Sequence, residues 1–207
     1  MDPEQSASEA LVAQLHEQGL LKTRRIIEAF KAVPRSAFVR PEDRAAAGID
    51  EPLPTGFGQT TSAPSMIATL LEVLRPRPGN SVLEIGTGLG WTAALIAHAV
   101  GPTGSVISYE LEPDLAAQAA ANLRKAGIAN VEARPGDGTK APGTFDRILL
   151  ACAAPAFPPA LVKELRRNGR LVAPLGGPLI QELTLLEKKD GTQRTSTHGP
   201  CRFVPLR

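Results

Sequence analysis

The stretch Ser81-Val82-Leu83-Glu84-Ile85-Gly86-Thr87-Gly88-Leu89-Gly90-Trp91 decides how the rest of the chain is read. Val82, Leu83 and Ile85 form an apolar run that ends in three glycines, and a helix-like stretch follows from Trp91 to Val100. A strand, a sharp turn and a helix start in this order are the parts from which nucleotide sites are built. The glycines let the backbone turn tightly and let a ligand approach where any Cβ would collide. Many doubly wound domains carry such a turn, so it predicts a fold more firmly than a ligand.

Downstream, the pattern becomes regular. Residues 105–109, 131–134, 145–150 and 170–173 read as strands, with helices over 113–126 and 158–165 between them. This alternation predicts an α/β architecture, a doubly wound and mostly parallel sheet joined by right-handed crossovers. The tail differs. Leu183 to Leu186 alternate with polar neighbours, Asp190-Gly191 is a turn signal, and residues 202–206 read as one more extended segment. The sheet is therefore expected to finish with antiparallel C-terminal strands.

Upstream, Ala10, Leu11 and Leu15, then Ile26, Ile27, Phe30 and Val33, recur at helical spacing and predict an N-terminal helical appendage over 1–34. Thr23 is placed to cap its second helix and Pro34 to stop it. From Arg35 to Thr61 no period holds, and Pro41, Gly48, Pro52, Pro54, Gly56 and Gly58 interrupt the chain. So long a stretch without structure of its own reads as a functional loop or lid over 35–64. Ser62 and Pro64 are placed to open the next helix, over 66–74. Residues 65–207 then form the core of a single domain.

Composition narrows the function. The chain has 207 residues, a formal charge of +2 and no long block of either sign, which gives a nucleic-acid partner no support. No apolar stretch is long enough to span a bilayer, and residues 1–8 are unlike a signal peptide, so no membrane partner and a cytoplasmic location are expected. Cys152 and Cys201 are isolated and read as small buried hydrophobes; His16, His98 and His198 are scattered, and no metal site is expected.

Ligands of open α/β sheets bind at the carboxyl ends of the strands. Glu84 precedes the glycines, Glu110 closes the second strand, and Asp137 lies between Gly136 and Gly138 after the third. These three acids are expected to ring one pocket. A carboxylate at Glu110 suits the two hydroxyls of a ribose. The third glycine comes one residue early for a dinucleotide, and Glu84 beside the turn would oppose a pyrophosphate. S-adenosylmethionine, with a ribose, an amino group and a sulfonium, fits better.

The sequence resembles the protein-L-isoaspartate (D-aspartate) O-methyltransferases from about Val33 almost to its end. The resemblance is carried by Val33-Pro34-Arg35-Ser36-Ala37-Phe38-Val39, Pro52-Leu53-Pro54, Gly58-Gln59-Thr60-Thr61-Ser62-Ala63-Pro64, Gly136-Asp137-Gly138-Thr139, Phe145-Asp146-Arg147-Ile148, Ala153-Ala154-Pro155, Gly169-Arg170-Leu171-Val172 and Arg202-Phe203-Val204-Pro205-Leu206. The glycine turn is shared by most class I methyltransferases; Gln59 to Pro64 and the C-terminal Arg-Phe-Val-Pro-Leu are specific.

The resemblance implies a Rossmann-like class I methyltransferase domain. It would esterify the α-carboxylate of L-isoaspartyl residues in damaged proteins and peptides, as a monomer using S-adenosyl-L-methionine. It implies Ser62 as the active-site residue. For the cofactor it implies Thr61, Glu84, Gly86, Thr87, Gly88, Gly90, Trp91, Glu110, Leu111, Asp137 and Gly138. For the substrate it implies Phe57, Gln59, Thr60, Ala154, Pro155 and Arg202. Phe57, Ser65 and Trp91 depart from the residues usual in the family. Related enzymes that esterify aspartate in one peptide, and non-catalytic cofactor-binding relatives, share much of this pattern.

The pocket motifs offer no convincing general base, and the chemistry needs none. A carboxylate with a reference pKa of about 4 is already ionised at neutral pH.

Overall fold

The computed structural model describes residues 3–207. Helix α1 (Pro3–Glu17) and helix α2 (Arg24–Ala32) come first. Thr23 occupies the N-cap position of α2, but its side chain makes no cap hydrogen bond; its hydroxyl donates to Glu72 Oε2 at 2.7 Å. Leu11, Val12, Leu15, Ile26 and Phe30 share one buried cluster with Ile67 and Leu71 and with Trp91, Ala94 and Leu95. The two N-terminal helices are thus a wall of the main core, where the sequence suggested an appendage.

Residues 35–61 are not structureless. Two 3-10 turns, Arg35–Phe38 and Pro41–Ala46, lead to a two-residue antiparallel pair, β1 (Leu53–Pro54) with β2 (Thr60–Thr61). Elements this short leave no readable period. Helix α3 (Pro64–Leu74) follows with Ala63 as its N-cap. Asp50 performs the capping expected of Ser62: its Oδ1 accepts from Ser65 N–H at 2.8 Å, a carboxylate at the positive end of the helix.

The core alternates as expected: β3 (Ser81–Ile85), α4 (Trp91–Val100), β4 (Ser105–Glu110), α5 (Pro113–Lys125), β5 (Val131–Pro135), β6 (Phe145–Leu150), α6 (Pro159–Glu164), β7 (Leu165–Gly176), β8 (Gln181–Lys189) and β9 (Thr192–Cys201). The sheet order is β5-β4-β3-β6-β7-β8-β9. Strands β5 to β7 pair in parallel, whereas β7, β8 and β9 pair antiparallel. Winding runs outward both ways from β3, and the carboxyl ends of β3 and β6 form the switch point where such sheets bind ligands.

The Asp190-Gly191 turn joins β8 to β9 with both residues at positive φ, 51° and 77°, the geometry that matches strand twist in a two-residue hairpin. The last strand is Thr192–Cys201, not residues 202–206. Polar residues with only the small apolar Cys201 at their end hid this exposed edge strand. Beyond it, residues 204–206 fold back on Ala153: Ala153 N–H donates to Val204 O at 2.8 Å, and Leu206 N–H to Ala153 O at 2.7 Å. Among the described residues no helix is long and apolar enough to cross a membrane.

Candidate active site

A cleft of about 950 Å³, part of it open to solvent, lies at the switch point. The glycine turn forms its floor. Gly86 and Thr87 N–H both donate to Tyr109 O, at 2.8 and 3.2 Å, which ties the turn to β4. Gly88 N–H donates to Glu110 Oε2 at 2.9 Å, and Glu112 N–H to Oε1 at 3.3 Å, so the Glu110 carboxylate is held against the turn.

Two glycines shape the cleft. Gly88 has φ 56°, and a Cβ there would meet no protein atom within 4 Å, so the cleft reaches the bare backbone. At Gly138 a Cβ would sit 2.8 Å from Ile85 Cγ1 and from Tyr109 Cβ, so only glycine lets this wall close on the floor. Gly90 does not line the cleft; it is the N-cap of α4 and packs against Ala119 and Leu123.

The three acids do not ring the pocket. Glu110 and Asp137 line it, whereas Glu84 is wholly buried beneath the turn. Ser108 Oγ donates to Glu84 Oε2 at 2.5 Å and lies 2.6 Å from Thr87 Oγ1, and Glu84 Oε1 has no partner. Burial pushes the Glu84 carboxyl from 4.5 up to about 8, partly offset by the Ser108 hydrogen bond. Its raised pKa favours the protonated form near neutral pH, and the electrostatic objection to a pyrophosphate passes to Glu110, whose side chain is held against the same turn. Asp137 is an anion held below its ordinary pKa, chiefly by the Thr139 hydroxyl at 2.6 Å and then by Lys140.

A carboxyl whose pKa is raised by folding holds its proton better in the folded state. Its contribution to stability is complete below its unfolded value and is lost as pH rises through its folded value. Glu84→Gln is therefore expected to reduce the decline in stability between about pH 5 and pH 8. Denaturant midpoints of both forms across that range check this, and parallel profiles would count against a neutral Glu84.

The chain from Asp50 to Ser62 arches over the cleft. Thr55 N–H and Oγ1 both bond Gln59 O, at 2.9 and 3.1 Å, closing a tight loop. Gln59, Thr60, Thr61 and Ser62 line the cleft, while Phe57, at the loop tip and 41% exposed, does not. Ser62 lines the cleft and its hydroxyl makes no hydrogen bond to the described residues, so it is free of capping work.

Trp91 serves both purposes open to it. Its ring packs edge-on to Phe30 at 5.4 Å, its Nε1–H donates to Val33 O at 3.1 Å, and it lines the cleft. Leu111 also lines it, 43% exposed at the rim. Ala154 does not: its N–H donates to Pro174 O and its carbonyl accepts from Gly176 N–H, which fixes β7 beside the cleft. Neither Pro155 nor Arg202 lines it; Arg202 is exposed after the last strand, and the cation at the wall is Arg207.

Sequence reasoning also missed Cys152, which lines the cleft with its thiol pushed up to about 12 by burial. Its place just after β6 was the only available signal. Arg35, in the quoted Val33 to Val39 motif, is 3% exposed and bonds Ile49 O just before the arch and three groups within it, Glu51 O, Thr61 Oγ1 and Ser62 O. His16 Nδ1 lies 2.8 Å from Leu21 O, and His98 and His198 are exposed. No group of three or more His, Cys, Asp or Glu among the described residues could hold a metal ion.

The model of the protein-L-isoaspartate(D-aspartate) O-methyltransferase family matches residues 5–207. The chain belongs to that family. It is 45% identical to the protein-L-isoaspartate O-methyltransferase of Methanopyrus kandleri, over 97% of this chain and 91% of the relative. The Aeropyrum pernix protein of that name is 44% identical, over 99% and 81%. A Plasmodium falciparum crystal structure assigned to the same activity, and holding S-adenosyl-L-homocysteine, superposes with a TM-score of 0.86 at 23% identity, covering 100% of this chain and 99% of that one. Of the three departures from the protein-L-isoaspartate O-methyltransferase pattern, only Trp91 lines the cleft; Phe57 and Ser65 do not.

Proposed function

We propose that this chain is a single methyltransferase domain that esterifies the α-carboxylate of L-isoaspartyl residues in damaged proteins and peptides. S-adenosyl-L-methionine supplies an electrophilic methyl group. The cleft suits that molecule: Glu110 offers carboxylate oxygens to a ribose diol, the open space at Gly88 admits it to the backbone, and Asp137 adds an acceptor further along. The observation that carries the proposal is the joint placement of the Gly88–Glu110 pair and the free Ser62 hydroxyl on one cleft.

The residues then have physical roles. The substrate carboxylate arrives ionised, so no residue need take its proton. Ser62 can donate one hydrogen bond to a carboxylate oxygen and aim the other at the methyl group, in line with the breaking bond. The arch over 50–62 keeps water from that oxygen, which raises its nucleophilicity. Cys152, protonated at neutral pH, does not compete as a thiolate nucleophile. The ester leaves the enzyme, closes to a succinimide, and hydrolysis returns part of it to aspartate.

Cys152 and Cys201 are buried and unpaired, as suits the reducing cytoplasm.

Incubation of an isoaspartyl peptide with the protein and S-adenosylmethionine should yield methyl ester, then succinimide, then aspartyl peptide. Chromatography that found no ester would contradict the proposal. Ser62→Ala is expected to lower kcat/KM for the peptide about 10- to 100-fold, the loss of one hydrogen bond to a charged group, with cofactor binding retained. Steady-state kinetics with calorimetry check it; unchanged methylation would remove Ser62 from the site.

A further inference from the structure

Arg35 is a buried cation with no carboxylate in contact. It starts the 3-10 turn after α2, is 3% exposed, and stacks 5.5 Å from the centre of the Trp91 ring. Its Nη1 donates to Ile49 O at 3.0 Å; its Nη2 donates to Glu51 O at 2.8 Å, Thr61 Oγ1 at 3.1 Å and Ser62 O at 3.3 Å. Its Nε is buried without a partner.

For stability alone this is a poor arrangement. Desolvating a guanidinium is costly, neutral carbonyls repay it only in part, and an unpaired buried Nε–H adds further cost. Burial lowers its pKa only to about 10, with nearby Asp50 opposing, so the charge persists at neutral pH.

What the arrangement achieves is geometric. The fork binds both ends of the arch, residues 49 and 51 flanking its start and 61 and 62 at its finish, while the guanidinium itself rests on Trp91. Only a planar fork with donors in fixed directions reaches all four acceptors; the single ammonium of lysine does not. Trp91 is itself pinned by its bond to Val33 O, so the seat is rigid.

We propose that Arg35 is a positioning residue for methyl transfer, which sets the height and direction of Ser62 over the cleft by clamping both ends of the arch onto Trp91. It touches neither ligand and does not line the cleft. This rests on Ser62 addressing the substrate carboxylate, as proposed above. The glycine turn and Glu110 are held by β3 and β4 without help from Arg35, which reaches the cofactor side of the cleft only through Thr61 Oγ1 and the Trp91 ring, so the peptide should respond more strongly than the cofactor to its loss.

The test is steady-state kinetics of the full chain carrying Arg35→Lys and Arg35→Ala, with an isoaspartyl peptide and S-adenosylmethionine varied in turn. Rates are normalised to the folded fraction read from thermal unfolding. Trp91, the sole tryptophan, reports in parallel whether the seat is intact. Arg35→Lys is expected to lower kcat/KM for the peptide at least about tenfold, with KM for S-adenosylmethionine within about twofold. Arg35→Ala is expected to lose more and to recover part of its rate in added guanidinium ion. Wild-type kinetics for both substrates in Arg35→Lys, once normalised for folding, would overturn the proposal, as would equal losses for peptide and cofactor. A wild-type protein inactive on the peptide would refute the function itself and is thereby distinguished.

Discussion

Glu110→Ala is expected to weaken S-adenosylmethionine binding by about two to four orders of magnitude. A carboxylate accepting from both ribose hydroxyls makes two charge-assisted hydrogen bonds, each about 1.5–3 kcal/mol. The same substitution frees Gly88 N–H and Glu112 N–H, which Glu110 now holds at 2.9 and 3.3 Å, so the turn also loses its brace. Glu110→Gln separates the two effects, because an amide oxygen can still accept from Gly88 without presenting a carboxylate to the diol. Calorimetry with S-adenosylhomocysteine should rank wild type, Gln and Ala in falling affinity. Equal affinity in all three would mean that the ribose lies elsewhere.

The second large effect is expected at Gly88. Asparagine tolerates a positive φ better than most residues, so Gly88→Asn fits the backbone at φ 56°. A side chain there meets no protein atom at its Cβ and projects into the cleft. The variant is therefore expected to fold with a near-wild-type thermal midpoint while binding S-adenosylmethionine at least about a hundredfold more weakly, the scale of blocking a close backbone approach. Unfolding curves and calorimetry on one sample distinguish this from simple destabilisation. Retained affinity would place the ligand away from the turn.

The sheet was legible because its signals are local. The apolar run of β3 and the repeated spacing of strand and helix need only neighbouring residues, and Asp190-Gly191 marks its hairpin by backbone preference alone. The strand β9 was not legible, since an exposed edge made largely of threonine, serine and arginine buries only its last residue, Cys201. The site was legible in part for a similar reason. Glu110 and Asp137 sit at predictable strand ends, but whether Glu84 faced solvent or core depended on its alternation in a strand buried on both faces. Capping failed as a local rule: Asp50 reaches α3 from fifteen residues upstream, which leaves Ser62 free. Arg35 acts through contacts 14 to 27 residues away, which no spacing rule reads.

The arch and the glycine turn answer different questions, one about substrate and the other about cofactor. Their separation explains why the turn alone never chose a reaction. Gly88 and Glu110 suit many methyl acceptors, and under the proposed function the choice of acceptor rests with Ser62 and the arch.

The most direct measurement is methyl transfer from labelled S-adenosylmethionine to two peptides that differ only in L-isoaspartate versus ordinary aspartate. The isoaspartyl peptide should be methylated and its partner left essentially unlabelled. Preferential labelling of the aspartyl peptide, or of neither while S-adenosylmethionine is bound, would contradict the proposed function.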